Sequence, residues 1–292
     1  MRACLDCLPC LAKNATELAR RSAGGDAALE ARIAATGMEI LGAVATDGYP
    51  LPPPCYARQL IDNALSQSNG AVPDPWAVEK KTSTELALKL MDRLPELPGW
   101  DPDSFESRVR LAVAGNILDF SIYADLDIAA AMETMATAFT KPVDAAAIAV
   151  FKEKMDSAKS ILWIFDNCGE AVFDRLLMEP YRDKLTLAVR GKPAFNDLTR
   201  AELAESGYPE GFAAGGVVSN EDGIPGVVDA TCGDSFGKAF SAADLIVAKG
   251  QANFETMNER TDKPIAFLFL AKCPVVCRTI GAEPKTIQVR LS

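Results

Sequence analysis

The chain has 292 residues, 49% of them apolar and 24% charged, with a net charge of −10. Such a chain suits one large or two modest globular domains with a substantial core, and its acidity argues against a large nucleic-acid footprint, which needs clustered Lys and Arg. Histidine is absent, which excludes Ser-His-Asp and Cys-His catalysis and every His-ligated metal; an enzyme here must use carboxylates, amides, Lys or Arg, thiols, or a hard metal on oxygen ligands.

Residues 1–103 read as a helical bundle without convincing strands. Cys4, Cys7 and Cys10 repeat a Cys-x-x-Cys spacing that can wrap a soft metal or cluster, with Cys55 as a candidate fourth ligand, but three thiols are one short of a closed site and plain, partly buried thiols are the better reading. The cysteines do not demand a disulfide framework. No stretch of about twenty apolar residues is present and Asp6 interrupts the amino terminus, so a cytoplasmic protein without membrane span or signal peptide is expected. Apolar spacing predicts helices over 27–41, ending before Gly42, over 55–66 after the Pro52-Pro53-Pro54 run, and over 76–94. Pro95 and the Pro98-Gly99 turn close that region.

Residues 104–292 begin with a helix running from Phe105 into Gly115-Asn116-Ile117-Leu118-Asp119, and a second over 145–159. Short apolar runs then alternate with helical segments, the pattern of βα units and a mostly parallel sheet. Four runs end in polar residues. They are 160–165 into Asp166-Asn167, 186–189 into Arg190 and on to Asn196-Asp197, 244–248 into Lys249-Gly250, and 265–270 into Lys272. Val217–Val218 is a weaker strand, and 286–291 alternates Ile287, Val289 and Leu291 with polar residues, as a half-buried edge strand does.

In an open parallel sheet, ligands bind beyond the carboxyl ends of the strands. Asp166-Asn167 offers a carboxylate and an amide carbonyl, both hard donors for Mg²⁺ or Mn²⁺, and Asp197 a third oxygen from the next strand end. The same residues also suit helix caps. Lys249-Gly250 and Lys272 suit phosphate oxygens; each singly reads more readily as a solvated strand-end lysine, and it is two lysines and two carboxylates on one edge that shift the balance. Asn116 and Asp119 share a helix face, Asn253 and Glu255 follow the Lys-Gly turn, and Glu170 and Asp174 lie four apart after Asp166-Asn167, where one can serve only to favour the helix N-terminus. Gly211–Gly216 lacks the spacing of a dinucleotide fingerprint.

Phe165-Asp166-Asn167-Cys168-Gly169-Glu170-Ala171-Val172-Phe173-Asp174 resembles the signature of the metal-dependent damage-control phosphatases, long known as a domain-of-unknown-function family. So do Lys249-Gly250-Gln251-Ala252-Asn253-Phe254-Glu255, Ala114-Gly115-Asn116-Ile117-Leu118-Asp119 and Lys272-Cys273. Asp74-Pro75-Trp76 with Lys80 or Lys81 and the amino-terminal Cys-x-x-Cys resemble its small archaeal and bacterial branch. Cys168 replaces a more usual alanine and Ala252 a glycine; neither removes a proposed ligand. The resemblance implies an α/β fold: a three-layer α/β/α domain with a mixed sheet whose last strand is antiparallel, joined to the amino-terminal bundle. It also implies a divalent metal (Mn²⁺, Co²⁺, Ni²⁺ or Mg²⁺) on Asp166, Asn167 and Asp197. Phosphate contacts are expected from Asn116, Asn253 and Lys272, with Lys249, Gly250, Asp119 and Glu255 nearby. The expected activity is hydrolysis of a small phosphomonoester, a sugar phosphate or damaged phosphometabolite, with no nucleic-acid or membrane partner. Two alternatives remain open at this point: a cysteine-based metal or redox sensor, and a phosphometabolite-binding module without turnover.

Overall fold

A computed structural model of the chain describes residues 1–116, 128–229 and 231–292. Helices α1 (Leu8–Ser22), α2 (Ala27–Thr46) and α3 (Pro53–Gln67) pack together through Leu11, Leu18, Ile33, Leu41, Leu60 and Ile61. Asp26 caps α2 by accepting from the Ala28 and Leu29 N–H groups, and α3 starts on a proline, which lacks the N–H that a first helical turn leaves unpaired. Contrary to the sequence expectation, α2 runs through Gly42. An interior glycine costs about 1 kcal/mol, and Val44 extends the buried stripe of Ile33, Gly37 and Leu41 beyond it. The helix stops instead ahead of Gly48, which takes φ +72.

Helix α4 (Ala77–Met91) packs mainly on a later helix, α8 (Cys168–Met178), placing Leu86 and Leu90 in one cluster with Val172 and Phe173. Helices α5 (Phe105–Ala114), α6 (Ile128–Thr140) and α7 (Ala145–Ser157) follow. The expected continuation of α5 toward Asp119 lies outside the described residues.

Strands β1 (Ile161–Ile164), β2 (Leu185–Val189), β3 (Val217–Ser219), β4 (Leu245–Lys249), β5 (Ile265–Ala271) and β6 (Thr286–Leu291) form one sheet in the order β3-β2-β1-β4-β5-β6. The first five are parallel and β6 is antiparallel to β5. Helix α8 follows β1 and the short α9 (Arg200–Leu203) follows β2. Helices α10 (Asp234–Ala242), α11 (Gln251–Met257) and α12 (Pro274–Ile280) complete the chain.

Side chains alternate across a strand, so each strand feeds two cores. Ile161, Trp163, Leu187 and Val247 face α5, α7 and α8, whereas Leu162, Ile164, Ala188 and Ile246 face α10, α11 and α12. The result is the three-layer α/β/α arrangement with a last antiparallel strand and an amino-terminal helical region. From β1 the chain moves outward to β2 and β3, then returns across β1 to β4. That reversal leaves a crevice beyond the carboxyl ends of β1 and β4. Among the described residues no helix is long and apolar enough to cross a membrane.

Candidate metal and phosphate site

The crevice opens into a cleft of about 1010 Å³, closed on its other side by residues of α1 and the start of α3. Arg58 of α3 secures that wall by donating to the carbonyls of Pro193 (3.1 Å) and Gly223 (3.4 Å). Asp166 and Asn167 leave β1 straight into the cleft. The segment after β2 folds back on them: Leu198 N–H donates to Asp166 O (2.8 Å), Cys168 N–H donates to Asn196 O (2.9 Å), and Asn167 pairs with Asp197 in an isolated bridge. Asp166 and Asn167, which follow β1, and Asp197, which follows β2, thus line the same cleft.

This fold-back carries strain. Phe195 sits at φ +49, a left-handed conformation costing a bulky residue roughly 1–2 kcal/mol, and its ring packs 5.3 Å from Trp76. Gly250, at φ +80, follows β4 directly beneath Asp166. A Cβ there would lie 2.1 Å from Asp166 Cγ, so only glycine allows the carboxylate its place.

Burial pushes the Asp166 carboxyl up, against the opposing charges of Arg190, Lys249 and Lys272. Burial likewise raises Asp197 to about 7; the Arg190 guanidinium opposes this and the Asp166 charge adds to it. Two desolvated carboxylates stand beside the Asn167 amide, whose Nδ2 donates to Asp166 Oδ2 (3.0 Å); with the amide oxygen they offer a hard donor set whose negative charge a divalent cation would relieve. The residues present therefore fit such an ion. Among the described residues no group of three or more His, Cys, Asp or Glu is placed to hold a metal, so an ion here relies on the Asn167 oxygen as well as the two carboxylates.

The remaining predicted residues divide sharply. Asn116 and Lys272 line the cleft, and Lys272 Nζ donates to Asn116 Oδ1 (2.5 Å). Glu255 lines it too, accepting from Gln251 Nε2 (2.8 Å); burial lifts its carboxyl to about 7 despite that hydrogen bond. Lys249 does not reach the cleft. Its ammonium, fully buried, donates to Glu170 Oε1 (2.5 Å), Asp174 Oδ1 (2.6 Å) and Ala112 O (2.9 Å). Asn253 is equally enclosed: its Nδ2 donates to Lys249 O (2.6 Å) and Phe165 O (3.3 Å), while its Oδ1 accepts from Arg190 (3.3 Å). Both brace the site from behind. Cys7 and Cys10 also line the cleft, and the Cys4 and Cys7 sulfurs lie 3.9 Å apart. Cys10 is exposed, and burial pushes the Cys7 thiol to about 12, which disfavours the thiolate a soft metal requires.

Three contributors carried weak sequence signals. Arg190 stands at a strand end like the candidates, yet a lone arginine among them suggested nothing; it is 2% exposed and its Nε donates to Asp197 Oδ2 (2.7 Å). Glu170 and Asp174 showed their i,i+4 spacing, but the buried lysine they share comes from β4.

An α/β/α protein with a carboxylate-amide cleft at its topological switch point defines a broad class. Within it, the family model described as the damage-control phosphatase ARMT1-like domain matches residues 3–287, and this chain belongs to that family. A damage-control phosphatase of Pyrococcus horikoshii is 35% identical over 212 residues, 71% of each chain. One of Archaeoglobus fulgidus is 31% identical over 217 residues, 73% of this chain and 74% of that one. The crystal structure of a DUF89 family protein from P. horikoshii superposes with a TM-score of 0.84 at 28% identity, covering 98% of both chains.

Proposed function

We propose that the protein is a divalent-metal-dependent phosphatase hydrolysing small phosphomonoesters, sugar phosphates or damaged phosphometabolites, in this cleft. The observation that carries the reading is the convergence of Asp166, Asn167 and Asp197 beside the Lys272 ammonium. Asp166, Asn167 and Asp197 would hold a divalent ion (Mn²⁺, Co²⁺, Ni²⁺ or Mg²⁺), which would supply Lewis acidity toward a phosphoryl oxygen and toward water. Lys272 neutralises charge on the equatorial oxygens as the bond to the leaving group breaks. Arg190 holds the Asp197 carboxylate in place, and Asn116 holds both Asp166 and Lys272. Names of relatives support the phosphatase assignment: two of them are called damage-control phosphatases.

A phosphate-release screen on sugar phosphates in each of the four metals, paired with elemental analysis of the purified protein, tests the proposal. Asp166→Ala is expected to abolish Mn²⁺ binding in calorimetry and to lower kcat by about a thousandfold. Full turnover by that variant in the presence of a chelator would refute the reading.

A further inference from the structure

Asn116 stands at the junction of two charge networks. Its Nδ2 donates to Asp166 Oδ2 (2.9 Å) and to Glu170 Oε2 (3.0 Å), while its Oδ1 accepts from Lys272 Nζ (2.5 Å). The amide nitrogen carries two hydrogens and each is given to one carboxyl oxygen, so both are committed and the carbonyl has one direction left, toward Lys272. The other Glu170 oxygen is held by Lys249, itself saturated by Asp174 and Ala112 O. Glu170 is 1% exposed, and both its carboxyl oxygens are engaged, Oε1 by Lys249 and Oε2 by Asn116.

From this geometry we infer that Glu170 is a positioning residue for phosphate: acting through Asn116, it fixes the Lys272 ammonium beside Asp166. The inference rests on the proposed function only in taking this cleft as the phosphate site. Glu170 itself touches neither Lys272 nor the cleft. Its effect is the polarity it imposes on the Asn116 amide.

Glu170→Gln keeps the shape and reverses one end. Lys249 still requires an acceptor, so the new carbonyl turns to it and the new NH₂ meets Asn116 Nδ2, donor against donor. Asn116 must then shift off the new amide, or turn over and set its oxygen against the Asp166 carboxylate and its NH₂ against the Lys272 ammonium; either way the acceptor it offers Lys272 is displaced. Lys272 loses its anchor.

The experiment is calorimetric titration of inorganic phosphate into the Mn²⁺-loaded protein, with Mn²⁺ affinity measured alongside, for Glu170→Gln, Asn116→Ala and the double variant. Glu170→Gln is expected to weaken phosphate about tenfold alone and to have no further effect once Asn116 is alanine. Equal losses in both backgrounds, or none in either, overturn the inference. Asp174→Asn disturbs the same lysine without touching Asn116 and is expected to lower Tm while leaving phosphate affinity within about twofold; a tenfold loss there would assign the effect to Lys249 packing and overturn it too. Should Glu170→Gln fail to fold, Glu170→Asp keeps the charge on Lys249 and withdraws from Asn116, and the same loss with the same dependence on Asn116 is required. A protein showing this pattern without releasing phosphate keeps the positioning role and loses the proposed enzyme; one that binds no phosphate loses both.

Discussion

Around Gly250 the site depends on a missing side chain. The turn after β4 passes so close to Asp166 that any Cβ would occupy the carboxylate's position, and its φ of +80 adds strain for every other residue. Gly250→Ala is expected to destabilise the protein by about 1–3 kcal/mol and to weaken Mn²⁺ binding together with it, measured by thermal unfolding and calorimetry. Unchanged Mn²⁺ affinity would place Asp166 outside the metal site. Lys249 presents the opposite case, a strand-end charge that reads as free and is wholly consumed inside. Lys249→Met leaves Glu170 and Asp174 facing each other without a counter-charge, and a loss of roughly 3–5 kcal/mol is expected in denaturant unfolding. In sequence Gly250 reads as part of a phosphate-binding turn; that its backbone instead passes against the Asp166 carboxylate shows only in the fold. Lysine after a buried strand looks the same in sequence whether it ends in solvent, at a phosphate or in an ion pair.

Among the elements, strands were more legible than helix ends. The period-two alternation of 286–291 marked a half-buried edge strand, and β6 buries Ile287 and Val289 while its polar positions stay partly exposed. The end of α2 misled because a local glycine signal was weaker than the burial of Val44 two residues later. That competition makes a direct prediction. Gly42 is exposed, with no atom within 4 Å of the position a Cβ would take, so Gly42→Ala is expected to raise stability by about 0.5–1 kcal/mol without touching the cleft. A fall in Tm would contradict the helical reading of this turn. Helix α4 shows a different limit: apolar spacing marked it as a helix, but only packing assigned it chiefly to α8, with Lys80 buried between Asp74 (2.8 Å) and Glu202 (3.1 Å).

For the molecule as a whole, the cleft makes stability depend on pH in an unusual sense. Asp197 and Glu255 both titrate near 7 in the fold, above the value of an exposed carboxyl, so the native state holds protons that the unfolded chain releases. Stability of the metal-free protein is therefore greatest below about pH 4 as far as these groups are concerned, and it is lost as pH rises through 7. A bound divalent cation competes with those protons and favours the ionised form, so Mn²⁺ is expected to raise Tm more at pH 8 than at pH 5, by about the logarithm of the change in its apparent affinity. Thermal unfolding across that range, with Mn²⁺ and with chelator, checks it. A metal-induced shift equal at both ends would show that ion binding does not displace protons from these carboxyls.

Periodicity and chain punctuation are local properties, and they were enough to reveal the alternation of buried strands with helices, the half-buried edge strand, and which polar residues stand at strand ends. What each strand-end group contacts was decided only by the packing of distant segments. Lys249 and Lys272 both leave buried strands, yet Lys249 meets carboxylates 75 and 79 residues away in sequence, whereas Lys272 meets an amide 156 residues away at the cleft. A buried charge is tolerated only with a partner, and the fold selects that partner from distant parts of the chain.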